Sequence, residues 1–368
     1  MGRVAALNEV CIEITSACLA RCAHCSSANC RGGADSLDAK GFVKVLDDIA
    51  ALGASIVEFS GGEPLLRAEA VALVARAKSL GLQTRIYTSG LVARNGRVYQ
   101  GIDARLARRL RRAGLDRIVF NVQAGCAVVH DRISGVRGGF DLAVTGLRAA
   151  KGEGLWAGIH FVPMKPNVRE LPRLLAAAEA LGVDEVAVLR FVPQGRGREN
   201  RRWLQLDHGE FGRLVREAAD LTSRYPKGFL RLGSPMNFCS FLNEDVPSTQ
   251  CAAGVTTMTV LPDGSVIPCP AFKGLVDYVA GSVREQGLID IWRHAPVWER
   301  FRSFSAEALR GPCAACEYLQ SCHGRCAAQR IWAWGDMHQG PDPDCILETE
   351  RQAHHRVAME TDVLASAT

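Results

Sequence analysis

Three cysteines near the N-terminus have the residue type and the spacing to hold a metal centre. Cys18, Cys22 and Cys25 follow directly on a β-branched run, with three and then two residues between them. Thiolates are the ligands of iron–sulfur clusters, and three on one loop can each bind one iron of a cubane cluster. The fourth iron is then open to a small molecule, which is typical of a catalytic centre. The alternative is a zinc knuckle that borrows Cys11 or Cys30.

A second group of cysteines occupies the last third of the chain. Eight thiols make two complete sets of four, the number that a 4Fe–4S cluster or a structural zinc site needs. Of the 14 cysteines, Cys11, Cys30 and Cys126 remain, and we expect them to be small buried apolar residues. The eight predicted ligands are Cys239, Cys251, Cys269, Cys313, Cys316, Cys322, Cys326 and Cys345.

Composition sets the background for these sites. Of the 368 residues, 48% are hydrophobic and 23% are charged, which indicates a folded globular chain. The net charge of +5 is too modest to predict nucleic-acid binding. No apolar run approaches the roughly 18 residues of a membrane span, and the N-terminus lacks the blocks of a signal peptide. We therefore expect a cytoplasmic protein without a membrane partner, where thiols serve metals or catalysis more often than disulfides.

The elements that must position the cysteines alternate between strand and helix. Six β-branched runs, over 10–14, 56–59, 84–87, 118–122, 157–162 and 185–191, predict strands. Helical segments lie between them, over 37–52, 68–80, 103–113, 140–153 and 167–181, and each ends at a glycine. This order predicts an α/β fold, a partial (βα)6 TIM-type barrel with its chemistry at the carboxyl ends of the strands.

The remainder of the chain predicts a smaller, cysteine-rich domain. We expect residues 195–202 to be a flexible exit from the barrel, followed by a helix over 208–224. Two strand-like runs over 256–261 and 265–268 flank a Pro-Asp-Gly turn and predict a β-hairpin accompanied by short helices. The predicted domains are a barrel over 1–205, a bridge over 206–238, the cysteine-rich domain over 239–350 and a tail over 351–368.

The cysteine triplet resembles the hallmark CxxxCxxC loop of the radical S-adenosylmethionine (SAM) enzymes. The resemblance extends one βα unit further, where the second strand is followed by the family's GGEP motif: Gly61, Gly62, Glu63 and Pro64. It implies that this backbone holds the amino group of SAM, which glycines leave unobstructed. By the same resemblance, polar residues at the next strand ends contact the ribose and carboxylate of SAM, unless they are ordinary strand-end residues: Thr88, Ser89, Asn121 and Gln123.

The resemblance implies one-electron chemistry at Cys18, Cys22 and Cys25. A reduced 4Fe–4S cluster with SAM at its open iron cleaves SAM to methionine and a 5′-deoxyadenosyl radical, which abstracts a hydrogen atom from substrate. Such an enzyme needs an electron donor such as flavodoxin or ferredoxin. The protein then has to position substrate and exclude water.

The C-terminal cysteines resemble the seven-cysteine SPASM extension of these enzymes, which binds two auxiliary 4Fe–4S clusters. The family pattern assigns Cys251, Cys269 and Cys326 to the first, with Cys239 as the candidate fourth ligand. It assigns another four to the second: Cys313, Cys316, Cys322 and Cys345. With the SAM-binding cluster, this makes three 4Fe–4S clusters. Structural zinc is the alternative for these eight thiols.

The resemblance leaves two substrate classes open. SPASM enzymes oxidise or cross-link side chains of ribosomally made peptides or proteins, or they oxidise or rearrange small molecules such as sugars and aminocyclitols. We favour a peptide, although 17 residues before Cys18 are too few for the peptide-binding domain of many relatives. Formylglycine formation is disfavoured, because Pro270 stands where that branch has an Asp base. His130 and Asp131 are expected in a loop at the barrel mouth, and residues 105–112 on a basic outer helix.

Overall fold

The computed structural model describes residues 6–27, 37–94, 98–233, 238, 240 and 250–347. The chain forms two compact units. The barrel unit comprises Met1–Leu204, Gly228–Arg231 and Ala252–Phe304, and the second unit comprises Gln205–Lys227, Leu232–Cys251 and Ser305–Thr368. Among the described residues, no helix has both the length and the apolarity to cross a membrane.

The six predicted strands are confirmed and form neighbouring parallel strands of one sheet, in the order β1-β2-β3-β6-β7-β8. Side chains alternate across it: Val10, Ile12 and Ile14 are fully buried on one face, and Glu9 and Glu13 lie on the other. Within the described residues the strands are β1 Glu9–Thr15, β2 Ile56–Gly61, β3 Gln83–Thr88, β4 Leu91–Arg94, β5 Val98–Gly101, β6 Arg117–Asn121, β7 Trp156–Phe161, β8 Glu185–Val188, β9 Leu230–Leu232, β10 Thr257–Val260, β11 Ser265–Ile267 and β12 Gly281–Ser282.

Helices connect the parallel strands, as the α/β prediction requires. The predicted glycine ends are confirmed, since Gly53, Gly81, Gly114, Gly154 and Gly182 all have positive φ. The helices are α1 Ala39–Ala51, α2 Ala70–Ser79, α3 Ala104–Arg112, α4 Ala127–Ser134, α5 Gly139–Gly152, α6 Leu171–Ala180, α7 Arg196–Glu199, α8 Arg201–Leu204, α9 His208–Thr222, α10 Leu288–His294, α11 Glu299–Arg302, α12 Leu319–Cys322 and α13 Ala327–Trp334.

The predicted C-terminal hairpin forms, and it joins the barrel sheet. Strands β10 and β11 pair antiparallel around Gly264, whose φ is +91°. Strand β10 also pairs in parallel with β1, with Val10 opposite Met258. Because this pairing adds the hairpin to the sheet, residues 252–304 are compact with the barrel, whereas we predicted one cysteine-rich domain over 239–350.

Two local predictions differ from the structure, and one element was not predicted. The segment predicted as a flexible exit forms α7 and α8, because its side chains bond the cysteine loop: Arg196 Nε donates to Cys22 O at 3.0 Å and Asn200 Nδ2 to Ala23 O at 3.0 Å. His130 and Asp131 lie within helix α4, not in a loop. The short β4–β5 hairpin after β3 was not predicted.

Polar contacts order two parts of the second unit, one exposed and one buried. Helix α9 begins at a capping box formed by Asp207 and Glu210, which satisfies its first amides. The guanidinium of Arg330 is buried and donates to the carbonyl of Met337 at 2.6 Å and to that of Gly324. The predicted tail over 351–368 lies outside the described residues.

Candidate active site

A cavity of about 430 Å³ opens in the barrel unit, with the cysteine loop on its wall. The loop follows β1, the glycine motif follows β2, and side chains of β3, β6 and β7 supply further wall. This agrees with the expectation that the chemistry lies at the carboxyl ends of the strands. The predicted site residues on the wall are Cys18, Cys22, Cys25, Gly61, Gly62, Ser89, Asn121 and Gln123.

Backbone hydrogen bonds fasten the cysteine loop from the side of α4. The amide of Arg21 donates to Ser134 O at 3.0 Å, and that of Ala23 to Ile133 O at 2.8 Å. On the opposite flank, the hydroxyl of Tyr99 on β5 donates to Leu19 O at 3.0 Å. The loop conformation is thus fixed through its main chain. All three cysteines are half-buried, and none is in a disulfide.

The glycine motif packs directly against this loop. The amide of Gly62 donates to Thr15 O and that of Glu63 to Ala17 O, both at 2.7 Å. A Cβ at Gly62 would lie 2.1 Å from Ala17 O, and one at Gly61 would lie 2.3 Å from Thr15 O. The glycines therefore permit a close approach between two chain segments. The amides of Gly62 and Glu63 are thus engaged by residues 15 and 17. The contact of this backbone with the amino group of SAM, which the resemblance implies, stays a prediction.

Glu63 joins the glycine motif to the end of β3. Its buried carboxylate accepts hydrogen bonds from Thr88 Oγ1 at 2.7 Å, from Ser89 N at 2.7 Å and from Ser89 Oγ at 2.5 Å. Burial raises the pKa of Glu63, and these hydrogen bonds oppose the rise. Glu63 and Thr88 thus bond each other, and neither they nor Pro64 belong to the cavity wall, whereas Ser89 does.

The end of β6 presents amide groups to the cavity. Asn121 Nδ2 donates to Thr88 O at 3.3 Å. Gln123 Oε1 accepts from Val162 N at 3.0 Å, while its buried Nε2 has no hydrogen-bond partner in the described chain. An unpartnered buried donor on a cavity wall is the kind of group that a polar ligand satisfies.

These groups fit the two cofactors that the sequence implies. Three thiols on one fastened loop suit a cubane cluster, and the adjoining cavity supplies an unpartnered donor for SAM. Among the described residues, no three His, Cys, Asp or Glu side chains converge as a single-ion site would require. A cubane needs no such convergence, because each cysteine binds a different iron.

The strands also place ionisable side chains on the cavity wall that the sequence analysis missed. Lys273 Nζ lies 2.7 Å from Glu13 Oε1 in a buried ion pair and donates to Ser27 Oγ at 2.8 Å. Glu58 on β2 accepts from Arg85 and from the hydroxyl of Tyr87. A signal was present in the sequence, because Glu13 and Glu58 each stand between two apolar residues of a predicted strand.

Three histidines on the wall are neutral. Burial lowers the pKa of His24 and of His130 to about 4, and that of His160 to about 3. His160 stacks on Tyr87 with ring centroids 4.8 Å apart. His130 Nδ1 accepts from the amide of Gln123 at 3.1 Å. The neighbouring Asp131 is structural: it accepts from the amides of Gly138 and Phe140.

In the second unit, three predicted ligands lie within electrostatic reach of a fourth, Cys313. Burial and the neighbouring Cys322, Cys345 and Cys316 thiols raise the pKa of Cys313 to about 11. Gly340 packs on Cys313, since a Cβ there would lie 2.3 Å from its Sγ. These are the four thiols that the resemblance assigns to one auxiliary cluster.

The other cysteines have different surroundings. In the second unit, the amide of Cys326 donates to Asp342 at 3.2 Å, and Cys251 is exposed. Cys269 belongs to the barrel unit. Cys11 is buried as expected, whereas Cys126 is only half-buried. Cys239 and Cys30 lie outside the described residues.

Comparison with known proteins gives matches along the chain. Residues 12–178 match the model of the radical SAM superfamily, and residues 251–317 match that of SPASM, an iron-sulfur cluster-binding domain. The chain is 28% identical over 349 residues to PqqA peptide cyclase of Granulibacter bethesdensis, covering 93% of this chain and 87% of that protein. It is 26% identical over 353 residues to AdoMet-dependent heme synthase of Methanosarcina barkeri, covering 91% and 95%.

The fold is shared with a solved structure, Streptococcus suis SuiB bound to precursor peptide SuiA. The TM-score is 0.74 at 19% identity, over 92% of this chain and 76% of that one. At this identity the likeness concerns the fold alone. The parallel core and the antiparallel C-terminal strands described above therefore belong to a known architecture.

Proposed function

We propose that this chain, a radical SAM enzyme with a C-terminal SPASM domain, modifies a side chain of a ribosomally made peptide or protein. Its cofactors are SAM and 4Fe–4S clusters. The modification is an oxidation or a cross-link. The observation that carries this proposal is the similarity to PqqA peptide cyclase along 93% of the chain. The SuiB structure adds that this fold can accommodate a precursor peptide.

The cavity residues divide into three roles in this proposal. Cys18, Cys22 and Cys25 hold the SAM-binding cluster on the fastened loop. When bound there, the cluster and SAM supply a 5′-deoxyadenosyl radical, which abstracts a hydrogen atom. Gly61 and Gly62 hold the glycine motif against the loop, and Gln123 Nε2 is an unpartnered donor for SAM.

The remaining proposed ligands serve two auxiliary clusters, for a total of three. Cys313, Cys316, Cys322 and Cys345 hold one, and the neighbouring thiols around Cys313 support this set. Cys251, Cys269 and Cys326 hold the other, with Cys239 as fourth ligand. We propose that these clusters accept the electron left after hydrogen abstraction. A flavodoxin or ferredoxin is the proposed donor to the first cluster, and a cytoplasmic location is the matching prediction.

The direct test is mass spectrometry of a peptide encoded beside this gene. The anaerobically reconstituted enzyme is incubated with SAM, reductant and that peptide. We expect a mass decrease equal to two hydrogens, mapped to one or two side chains by fragmentation. The matched control is the enzyme with Cys18, Cys22 and Cys25 replaced by Ala, which should leave the peptide mass unchanged.

A second candidate, oxidation or rearrangement of a small molecule, is favoured by the similarity to AdoMet-dependent heme synthase. The same assay discriminates the two, with sugars, aminocyclitols and tetrapyrroles supplied in place of the peptide. If the peptide mass does not change while one of these molecules is converted, the peptide proposal is wrong.

A further inference from the structure

We propose that Glu58 accepts the substrate proton that is released after hydrogen-atom abstraction. This inference rests on the proposed function, because it requires that the enzyme oxidise or cross-link its substrate. Glu58 lies on β2, lines the same cavity as the cysteine triplet, and is only 8% exposed. The site residues that the resemblance implies do not include Glu58.

The overall balance of the reaction requires a base. An oxidation or a cross-link removes two hydrogens from the substrate. One leaves as a hydrogen atom and forms the new C–H bond of 5′-deoxyadenosine. The other leaves as a proton from a neighbouring N–H, O–H or C–H group, while one electron goes to an oxidised iron–sulfur cluster. A C=X double bond or a new C–X bond forms in its place, so a protein group has to take the proton.

Among the described wall residues, the other carboxylate is already committed. Glu13 is buried and ion-paired at 2.7 Å to Lys273, whose side chain is 12% exposed. Protonating Glu13 would leave this largely buried ammonium without its counter-charge, which is costly. The buried Cys11 thiol is also excluded, because burial and nearby carboxylates raise its pKa well above the ordinary value and keep it protonated.

The three histidines offer less than Glu58. His24 lies on the cysteine loop and belongs to the cofactor site. His130 Nδ1 already accepts the amide proton of Gln123. His160 is stacked on Tyr87, and burial lowers its pKa to about 3, so it holds a proton poorly at neutral pH.

The hydrogen bonds to the Glu58 carboxylate occupy only one of its two oxygens. Arg85 donates to Oε1 at 3.1 Å, and the Tyr87 hydroxyl donates to the same oxygen. The described residues place both of these hydrogen bonds on Oε1 and none on Oε2, and Glu58 lines the cavity, so Oε2 is the oxygen available to accept a proton. Two donors on one oxygen hold the carboxylate in place, which is what a positioned base requires.

The surroundings of Glu58 suit proton transfer at neutral pH. Burial raises its pKa to about 7, with help from the charge of Glu9 on β1, and Tyr87 and Arg85 on β3 oppose the rise. Cys11 and Glu13 also lie on β1, the latter neutralised by Lys273. His160 on β7 is neutral. A base whose pKa lies near the operating pH is the most effective.

The first experiment replaces Glu58→Gln in the reconstituted full-length enzyme and measures modified peptide and 5′-deoxyadenosine separately. We expect the ratio of product to 5′-deoxyadenosine to fall about 100-fold or more, the range of general-base effects. Iron content and SAM affinity, measured without turnover, should match wild type. The control is Glu185→Gln, a buried carboxylate on β8 paired with Arg231 outside the cavity wall. It should leave the ratio unchanged.

A second experiment follows the pH dependence of that ratio and stands even if Glu58→Gln fails to fold. In wild type the ratio should rise with pH through about 7, because the ionised carboxylate is the acceptor. Glu9→Gln removes a repulsive charge, so it should lower the pKa of Glu58 and shift the rise of the ratio to lower pH. Tyr87→Phe removes a hydrogen bond to the carboxylate, so it should raise this pKa and shift the rise to higher pH.

The outcomes separate this inference from the proposed function. Two results, in an enzyme that modifies a peptide, would show that Glu58 is not the proton acceptor. One is a wild-type ratio in Glu58→Gln, and the other is a pH dependence that does not shift in opposite directions in Glu9→Gln and Tyr87→Phe. If wild type forms 5′-deoxyadenosine and oxidises a small molecule only, the peptide proposal fails, and the same ratios measured on that molecule still decide the role of Glu58. If it only rearranges a small molecule without removing two hydrogens, no proton is released and the inference is wrong.

Discussion

At the scale of single residues, Gly62 shows how one missing Cβ couples two motifs. A Cβ at position 62 would lie 2.1 Å from the carbonyl oxygen of Ala17, which precedes Cys18 in the chain. Any side chain at this position would therefore displace the cysteine loop. The glycine motif therefore supports the cysteine loop directly, in addition to the SAM contact that the resemblance implies.

We predict that Gly62→Ala impairs both sites together. SAM affinity should fall about tenfold or more, equivalent to about 1.4 kcal/mol, and iron at the N-terminal cluster should be lost in parallel. Calorimetric SAM binding and iron analysis measure the two effects. The control is Gly152→Ala, where a Cβ meets nothing within 4 Å. Weakened SAM binding with full iron content would instead favour the original explanation of backbone access.

The buried Glu13–Lys273 pair is the second residue-scale feature. Its side chains are 4% and 12% exposed, and it links β1 to the segment after β11. We predict that Lys273→Met destabilises the fold by about 3–5 kcal/mol, because Glu13 is left buried and uncompensated. Urea unfolding measures the loss, and adding Glu13→Gln should recover part of it. Equal stability of the single and double variants would argue against a charge effect.

At the scale of elements, the segment that contains α7 and α8 packs against the cysteine loop and donates hydrogen bonds to it. Asn200 Nδ2 bonds Ala23 O at 3.0 Å, and a Cβ at Gly195 would lie 2.4 Å from Ser26 O. These contacts turn a polar, glycine-containing segment into ordered structure. The segment thus contributes to holding the triplet although it supplies none of its ligands.

We predict that Asn200→Ala weakens the attachment of this segment to the cysteine loop. Removing one hydrogen bond worth about 0.5–1.5 kcal/mol should speed the release of iron from the N-terminal cluster to a chelator about twofold to tenfold. Release is followed by absorbance under anaerobic conditions. The exposed Glu199, one residue earlier, provides the control variant Glu199→Ala. If both variants release iron at the wild-type rate, α7 and α8 do not stabilise the loop.

At the scale of the whole molecule, the cysteine inventory predicts the metal content. Three 4Fe–4S clusters require about twelve irons per chain. Replacing Cys18, Cys22 and Cys25 together with Ala should remove about a third of this iron and abolish SAM cleavage. Cys316→Ala should instead preserve cleavage while product formation collapses. Four irons or fewer in wild type, accompanied by zinc, would support the structural-zinc alternative.

The sequence by itself determined the motifs and the order of the strands. Cysteine spacing in 18–25 and the GGEP motif at 61–64 are local features, legible without coordinates. The alternation of apolar runs and glycine-ended helices gave the parallel order of six strands, because short crossovers leave few arrangements. Cofactor chemistry was accessible for the same reason, since three thiols on one loop predict an open cluster, with a zinc knuckle as the alternative.

Only the tertiary structure decided which side chains meet. Glu58 and Tyr87 are 29 positions apart, and Glu13 and Lys273 are 260 apart. Neither pair has a local pattern, because contacts across a sheet depend on register and on which face each strand presents. The same applies to Gly62 against Ala17 and to β10 beside β1, where a region expected in another domain completes the barrel sheet. Close approach in space, rather than residue type or spacing, assigned these residues their roles.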